Sequence, residues 1–272
     1  MEIVPQSSCI GAEIRGVDLS ANLSDDLVGE INQAFLDHQV IYFRDQQLSP
    51  QAYNDFARRF GPLMDYMFVD GMEGFPYITE LVKTENETES FGSFWHSDST
   101  YLEIPPKITM LYARQVPERG GDTLFCDTYA IYDSLSPGMQ TRLESLQAVN
   151  SASVVPRDED TYEAVKSRNS DRSDQSATHP VIRTHDETGK KAVYVNSIHT
   201  HSFEGFTREE SMPLLNYLYQ QVTCPDYSFR LNWQADTLAM WDNRCTQHYA
   251  LNDYHGYRRV MHRIIVEGAR PV

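Results

Sequence analysis

The run KITMLYARQV, residues 107–116, is followed across PERGG by DTLFCD, residues 122–127. Both runs are rich in β-branched and aromatic residues and end at Gly, Pro or Asp, the composition of buried strands closed by turns. Similar runs lie on either side. ITELV precedes them from Ile78, and AVYVN, YSFRLNW, DTLAMW and YRRVMHRIIVEG follow from Ala192, Tyr227, Asp236 and Tyr257. So many short strands with turn signals between them predict a sandwich or barrel, and hence a mainly β fold with flanking helices, of the α+β class.

The first third is different in kind. AEIRGVDL (from Ala12) has strand composition, SDDLVGEINQAFLDHQ (from Ser24) has helical periodicity, and VIYFRD (from Val40) is a short buried strand. Ser24 stands where an N-cap belongs, with acidic residues in the first turn behind it. Ser49 and Pro50 open a second helix through SPQAYNDFARRF, where proline at the first helical position gives up a hydrogen bond that would not form anyway. Two further helices are expected, one from Ser136 and Pro137, the other from Thr207, whose TREE sequence fits a capping box and which ends before Pro225. TENETESFGS (84–93) and the polar stretch 156–177 lack periodicity, and the second is expected to be an active-site lid or flexible loop.

With 272 residues, 40% hydrophobic and 11% aromatic, the chain has the profile of one packed domain, 1–272. Its formal charge of -16 repels a phosphate backbone and gives no general attraction to an anionic bilayer, so neither nucleic acid nor membrane is an expected partner. Cys9, Cys126, Cys224 and Cys245 form no CxxC pair, which argues against a zinc knuckle or a disulfide framework. No basic start leads into an apolar segment, and a cytoplasmic protein is expected.

Chemistry concentrates in FWHSDSTYL, residues 94–102. His96 and Asp98 are two positions apart, a spacing that turns both side chains to one face of an extended segment. The tripeptide alone is common, and an Asp near a His is more often a surface hydrogen bond. A third donor changes the reading: His248, in MWDNRCTQHYALNDY, ends a strand-like run that a second sheet can bring across. Two histidines and one carboxylate leave the remaining metal positions open, the arrangement of non-haem Fe(II) oxygenases and not of four-ligand structural zinc.

In the final strand, Arg259, Met261 and Arg263 share one face. The two arginines are about 13 Å apart at roughly 3.3 Å per residue, so they suit two anionic groups at different depths. Guanidinium binds carboxylate as a fork, although arginines near a chain end are about as often plain surface charges. A competing metal pair, His199 and His201 in NSIHTHSFEGF, lacks a distal carboxylate and is read as a pocket or loop pair. Trp241, Tyr162 and Tyr249 are read as core aromatics.

Taken together, WHSD, PERGGDTLF, MWDNR, QHYA and RRVMHR resemble, in order and spacing, the taurine dioxygenase branch of the TauD/TfdA family, from GVDLS to the last strand. The resemblance implies a double-stranded β-helix, or jelly roll, with Fe(II) on His96, Asp98 and His248. It implies that Thr123 and Arg259 bind the distal carboxylate of the cosubstrate 2-oxoglutarate and that Arg263 grips the substrate's sulfonate. Three positions depart from the taurine pattern: Tyr66 where a histidine helps hold the sulfonate, His199 in place of phenylalanine, and Ser99 where a small apolar residue follows the aspartate. Taurine itself is therefore not expected, whereas another small anionic sulfonate or carboxylate is.

The implied reaction uses O2, oxidises a substrate C–H bond, usually to a hydroxyl, and releases succinate and CO2. Desaturation or cyclisation at the same iron, or a jelly-roll protein that only binds a ligand, are the alternatives. A homo-oligomer, dimer or tetramer, is also compatible with the resemblance.

Overall fold

The computed structural model describes residues 1–90, 92–152 and 175–272. The amino-terminal part gives β1 (Glu2–Pro5), β2 (Ala12–Arg15), helix α1 (Asp25–His38), β3 (Val40–Phe43) and helix α2 (Pro50–Arg58). Ser24 caps α1 by accepting from the Leu27 amide, and Asp25 and Asp26 lie in its first turn, where the helix dipole favours negative charge. Ser49 caps α2 in the same way, with Pro50 just inside.

Next come β4 (Leu63–Met64), β5 (Gly71–Met72), β6 (Phe75–Lys83), β7 (Ile108–Gln115), β8 (Thr123–Asp127), helices α3 (Thr128–Ser134) and α4 (Pro137–Glu144), and β9 (Gln147–Ser151). The remainder is β10 (Ser176–Pro180), β11 (Ile182–Thr184), β12 (Lys191–Val193), β13 (Thr200–Phe203), helix α5 (Arg208–Gln221), β14 (Ser228–Leu231), β15 (Leu238–Asp242), β16 (Thr246–Ala250) and β17 (Arg259–Val266). The expected capping box is present on α5, with Thr207 and Glu210 satisfying each other's backbone amides.

A nine-stranded sheet runs β1-β2-β3-β15-β7-β17-β6-β5, with β4 added against β17. Among the described residues only β2 and β3 pair in parallel, joined by the α1 crossover such a pair needs. A three-stranded sheet, β14-β8-β16, faces it, and β10-β9-β13 and β11-β12 extend the smaller side. Two facing, largely antiparallel sheets with helices outside make a jelly roll.

Alternation along the central strands decides what faces the interior. Ile108, Met110 and Tyr112 of β7, Leu238 and Met240 of β15, and Ile264 and Val266 of β17 pack under α1 and α2 with Ile31, Phe35 and Phe56. The Tyr53 hydroxyl of α2 donates to the Met110 carbonyl at 2.9 Å and fixes the helix on the sheet. The opposite face sends Leu111, Ala239, Trp241 and Met261 against Phe125, Phe229 and Leu231 of the smaller sheet. Met261 belongs to this inner set, so Arg259 and Arg263, two residues to either side, turn inward as well.

Some boundaries differ from the expectation. AVYVN contributes only its first residues to β12, and the chain leaves the sheet before Asn196. Helix α5 ends at Gln221, before Pro225 as expected, but it continues through Pro213, and Pro225 opens a short 3-10 turn. Of the stretch expected to be a lid, most lies outside the described residues, and Ser176 and Ala177 are strand residues of β10, paired with β9.

Candidate active site

His96 and His248 are joined through their backbones before their side chains meet. The His96 amide donates to the His248 carbonyl at 3.1 Å, and the His248 amide donates to the His96 carbonyl at 2.8 Å. The extended geometry stops at this bridge: the chain turns at Asp98, and Ser99 takes φ of +51°. His96 and Asp98 thus converge through a bridge followed by a turn, not through the two-residue strand alternation expected from sequence. One donor atom each from His96, Asp98 and His248 lies within 4.8 Å of the others, and all three residues are buried.

Hydrogen bonds fix these donors. The Nδ1 of His96 is 2.7 Å from the Phe94 carbonyl, so Nδ1 carries the proton and Nε2 offers a lone pair, 3.7 Å from Asp98 Oδ1. Oδ2 of Asp98 accepts from the Thr109 hydroxyl at 2.5 Å. That hydroxyl accepts from Asn243 Nδ2 at 2.9 Å, while Asn243 Oδ1 accepts from the Asp98 amide at 3.3 Å and from Trp241 Nε1 at 3.1 Å. The closed circuit occupies Oδ2 and leaves Oδ1 facing the His96 imidazole and the Arg263 guanidinium.

The electrostatics suit a cation. Burial pushes the His96 imidazole below its ordinary range despite the neighbouring Asp98, and burial, reinforced by the adjoining His96 imidazole, pushes His248 well below it. Burial alone would raise Asp98, but Arg263 first, then His248, His96 and the Thr109 hydroxyl, outweigh it and hold the carboxyl well below the usual range. Two neutral imidazoles and a carboxylate are the donor set of a 2-His-1-carboxylate metal site.

One pocket collects this triad with Thr123, Trp241, Arg259 and Arg263. Arg263 Nη2 is 2.8 Å from Asp98 Oδ1, and its guanidinium lies 4.5 Å above the Tyr66 ring. At the other end, Arg259 stacks 5.8 Å from Trp233, whose Nε1 donates to Thr123 Oγ1 at 2.9 Å. Thr123 is aimed by its turn: Gly120 and Gly121 both have positive φ, and the Gly121 amide donates to Asp253 Oδ1 at 2.7 Å. Both arginines line this one pocket.

Tyr66, Ser99 and His199 meet around a residue that sequence reasoning did not single out, Tyr101. Its hydroxyl is 3.2 Å from Ser99 Oγ, its ring is 4.9 Å from His199, and Phe68 links it to Tyr66 through edge contacts of 6.0 and 5.7 Å. Burial, reinforced by His96, depresses the His199 imidazole to about 3, so it is neutral. His201 does not join it: His199 lies in a turn, His201 is in β13, and β13 is irregular between Thr200 and Ser202. Among the described residues the pair forms no metal cluster.

A second buried group, His185, Asp242 and Cys245, also gathers donor atoms. Both Asp242 oxygens are already taken, Oδ1 by the Arg244 amide and Nε at 2.9 and 2.8 Å, Oδ2 by Arg244 Nη2 at 2.7 Å and His185 at 3.0 Å. It is an internal ion network that braces the turn before β16. The four cysteines are free thiols. Thr109, Asn243 and Lys83 also escaped the sequence reading; the asparagine of MWDNR, one residue past a strand aimed at the site, was the available signal.

The profile of the taurine catabolism dioxygenase TauD, TfdA family matches residues 2–265. The chain is 35% identical to an alkylsulfatase of Acinetobacter baylyi over 95% of this chain and 82% of that protein. It is 33% identical to an alpha-ketoglutarate-dependent sulfate ester dioxygenase of Pseudomonas putida, over 100% and 91%. Among solved structures it is similar to a taurine dioxygenase from Burkholderia xenovorans, with TM-score 0.83, 28% identity and coverage of 100% and 90%. It is likewise similar to AAD-2 in complex with Mn(II) and N-oxalylglycine, with TM-score 0.81, 25% identity and coverage of 99% and 98%. The chain belongs to the taurine catabolism dioxygenase TauD, TfdA family and is a 2-oxoglutarate-dependent dioxygenase that oxidises a small anionic substrate.

Proposed function

We propose that the protein holds Fe(II) on His96, Asp98 and His248 and oxidises the carbon next to oxygen in a sulfate ester. The observation that carries this reading is the placement of Arg263, whose guanidinium touches Asp98 Oδ1 itself. An anionic head held there puts the adjoining carbon beside the metal ligands. The donor set fits the ion: the lone pair of His96 is directed by Phe94, Oδ1 of Asp98 faces the His96 imidazole, and three ligands leave room for cosubstrate and oxygen. When bound, iron supplies the oxygen activation that converts 2-oxoglutarate and O2 to succinate and CO2.

Each protein group then has a positioning task. Arg259 and Thr123 hold the distal carboxylate of 2-oxoglutarate, with Thr123 oriented by the Trp233 indole. Arg263, backed by the Tyr66 ring, holds the sulfate, and the ring favours a flat guanidinium over a flexible ammonium. Phe68 and Tyr101 provide an apolar wall for the rest of the substrate. His199, neutral and buried, offers a hydrogen bond without a competing charge. Hydroxylation of a carbon bearing the sulfate oxygen gives an unstable product that separates into an aldehyde and sulfate. Sulfate esters are favoured over taurine because the alkylsulfatase and the sulfate ester dioxygenase are 35% and 33% identical to this chain, against 28% for the taurine dioxygenase, and because Tyr66 stands where the taurine pattern has a histidine.

The test is anaerobic addition of Fe(II) and 2-oxoglutarate, which should produce the charge-transfer absorption of the chelate in the wild type and not in His248→Ala. Absence of the band in the wild type rejects the iron site. Succinate release across alkyl sulfates, sulfonates, carboxylates and aryloxy acids then tests the substrate, and equal uncoupled turnover with all of them rejects the sulfate ester.

A further inference from the structure

Lys83 and Arg259 are directly opposite each other on the antiparallel strands β6 and β17. Both line the pocket that holds the triad. Like charges facing each other across a strand pair repel, and in a buried place the repulsion is poorly screened. Lys83 is only 4% exposed, and its Nζ has no hydrogen-bond partner among the described residues. Its ammonium lies over the face of Tyr254, with Nζ 4.6 Å from the ring centre. An aromatic face offers an ammonium weak attraction but no hydrogen-bond acceptor for its three donors. A buried lysine of this kind is costly unless something beyond the described residues completes it.

We propose that Lys83 is a positioning residue for the cosubstrate, closing with Arg259 and Thr123 on the distal carboxylate of 2-oxoglutarate. This rests on the placement of that carboxylate under the proposed function. A carboxylate has two oxygens and about four acceptor positions, more than one guanidinium and one hydroxyl fill. Lys83 reaches the same end of the pocket from the neighbouring strand, and Leu81, two residues before it, lines the same face. The anion removes the repulsion between the two cations, so the cosubstrate stabilises the fold at this seam as well as occupying the site. Tyr254 holds the ammonium in place before the carboxylate arrives.

The test compares 2-oxoglutarate with 2-oxopentanoate, which keeps the 2-oxo acid but has a methyl group in place of the distal carboxylate. Anaerobic calorimetric titration of the metal-loaded protein gives both affinities for wild type, Lys83→Met and Lys83→Gln. The wild type should prefer 2-oxoglutarate, and either variant should lose about tenfold or more in affinity for it while binding 2-oxopentanoate within about twofold of wild type. Without ligand, Lys83→Met should melt no lower than wild type, because a like-charge pair has been removed. A variant that keeps the full wild-type preference overturns the role of Lys83 while leaving the pocket assignment intact. A wild type with no preference overturns the pocket assignment itself, and the role of Lys83 with it.

Discussion

The Thr109 hydroxyl donates to Oδ2 of Asp98 and accepts from Nδ2 of Asn243, so one side chain fixes both the orientation and the neighbours of the carboxylate. Thr109→Val keeps the shape of the side chain and removes both hydrogen bonds. Fe(II) or Mn(II) affinity, measured by competition with a chelator, should fall about 10–100-fold, the usual effect of losing a hydrogen bond behind a metal ligand. Thr109→Ser should stay within a few fold of wild type.

Arg263→Met should raise KM for the anionic substrate by about a hundredfold, the loss of two charge-assisted hydrogen bonds, and leave KM for 2-oxoglutarate within a few fold. Steady-state succinate release at varied substrate and at varied cosubstrate separates the two. Because Arg263 also contacts Asp98, metal content is measured in parallel. Arg263→Lys should recover only part of the loss, since an ammonium cannot present a planar fork.

Gly120 has φ of +79°, and a Cβ there would lie 2.8 Å from Asp253 Oδ1 and 2.9 Å from its carbonyl oxygen. Gly120→Ala should therefore cost about 2–4 kcal/mol, combining the left-handed backbone penalty with displacement of Asp253. A thermal midpoint lowered by several degrees checks the stability term. Raised KM for 2-oxoglutarate checks that Thr123 has moved with the turn.

Asp127 caps α3 by accepting from the Tyr129 and Ala130 amides, yet burial raises its carboxyl from 3.8 to about 6. Above about pH 6 both folded and unfolded chains are ionised here, and the folded state carries the full cost of burying the charge. Between about pH 6 and pH 4 the folded state takes up a proton that the unfolded chain does not, so this group's contribution to stability rises as pH falls. Asp127→Asn keeps the cap and removes the charge. It should be more stable than wild type at pH 7 by up to about 3 kcal/mol, with the difference shrinking by pH 4.5 in thermal unfolding.

The inward arginines were legible because β17 pairs with β6 in unbroken register from Arg259 to Arg263, and the two-residue period survives the shift in its pairing with β7. The same reasoning reached His96 and Asp98 for a partly different reason, since Ser99 ends the extended run at once. His199 and His201 show the limit more sharply: a turn and an irregular strand separate residues that an ideal strand would align. Lys83 was invisible for another cause. Nothing in ITELVKTEN marks which strand lies opposite Arg259, and only the β6–β17 register turns an ordinary lysine into a buried, facing charge. The jelly roll was legible only through the combined motifs, since strand runs alone do not say which strands pair.

The paired backbone bonds between His96 and His248 set the separation of the two proposed iron ligands by peptide geometry, independently of any ion. A socket cast in the scaffold in this way can be emptied and refilled without recasting. Chelation should then leave the thermal midpoint within a few degrees of the loaded protein's, and returning Fe(II) should restore turnover without a refolding lag. On the proposed iron site, folding and activation would then be separate events, with the chain folded first and made active by metal added later.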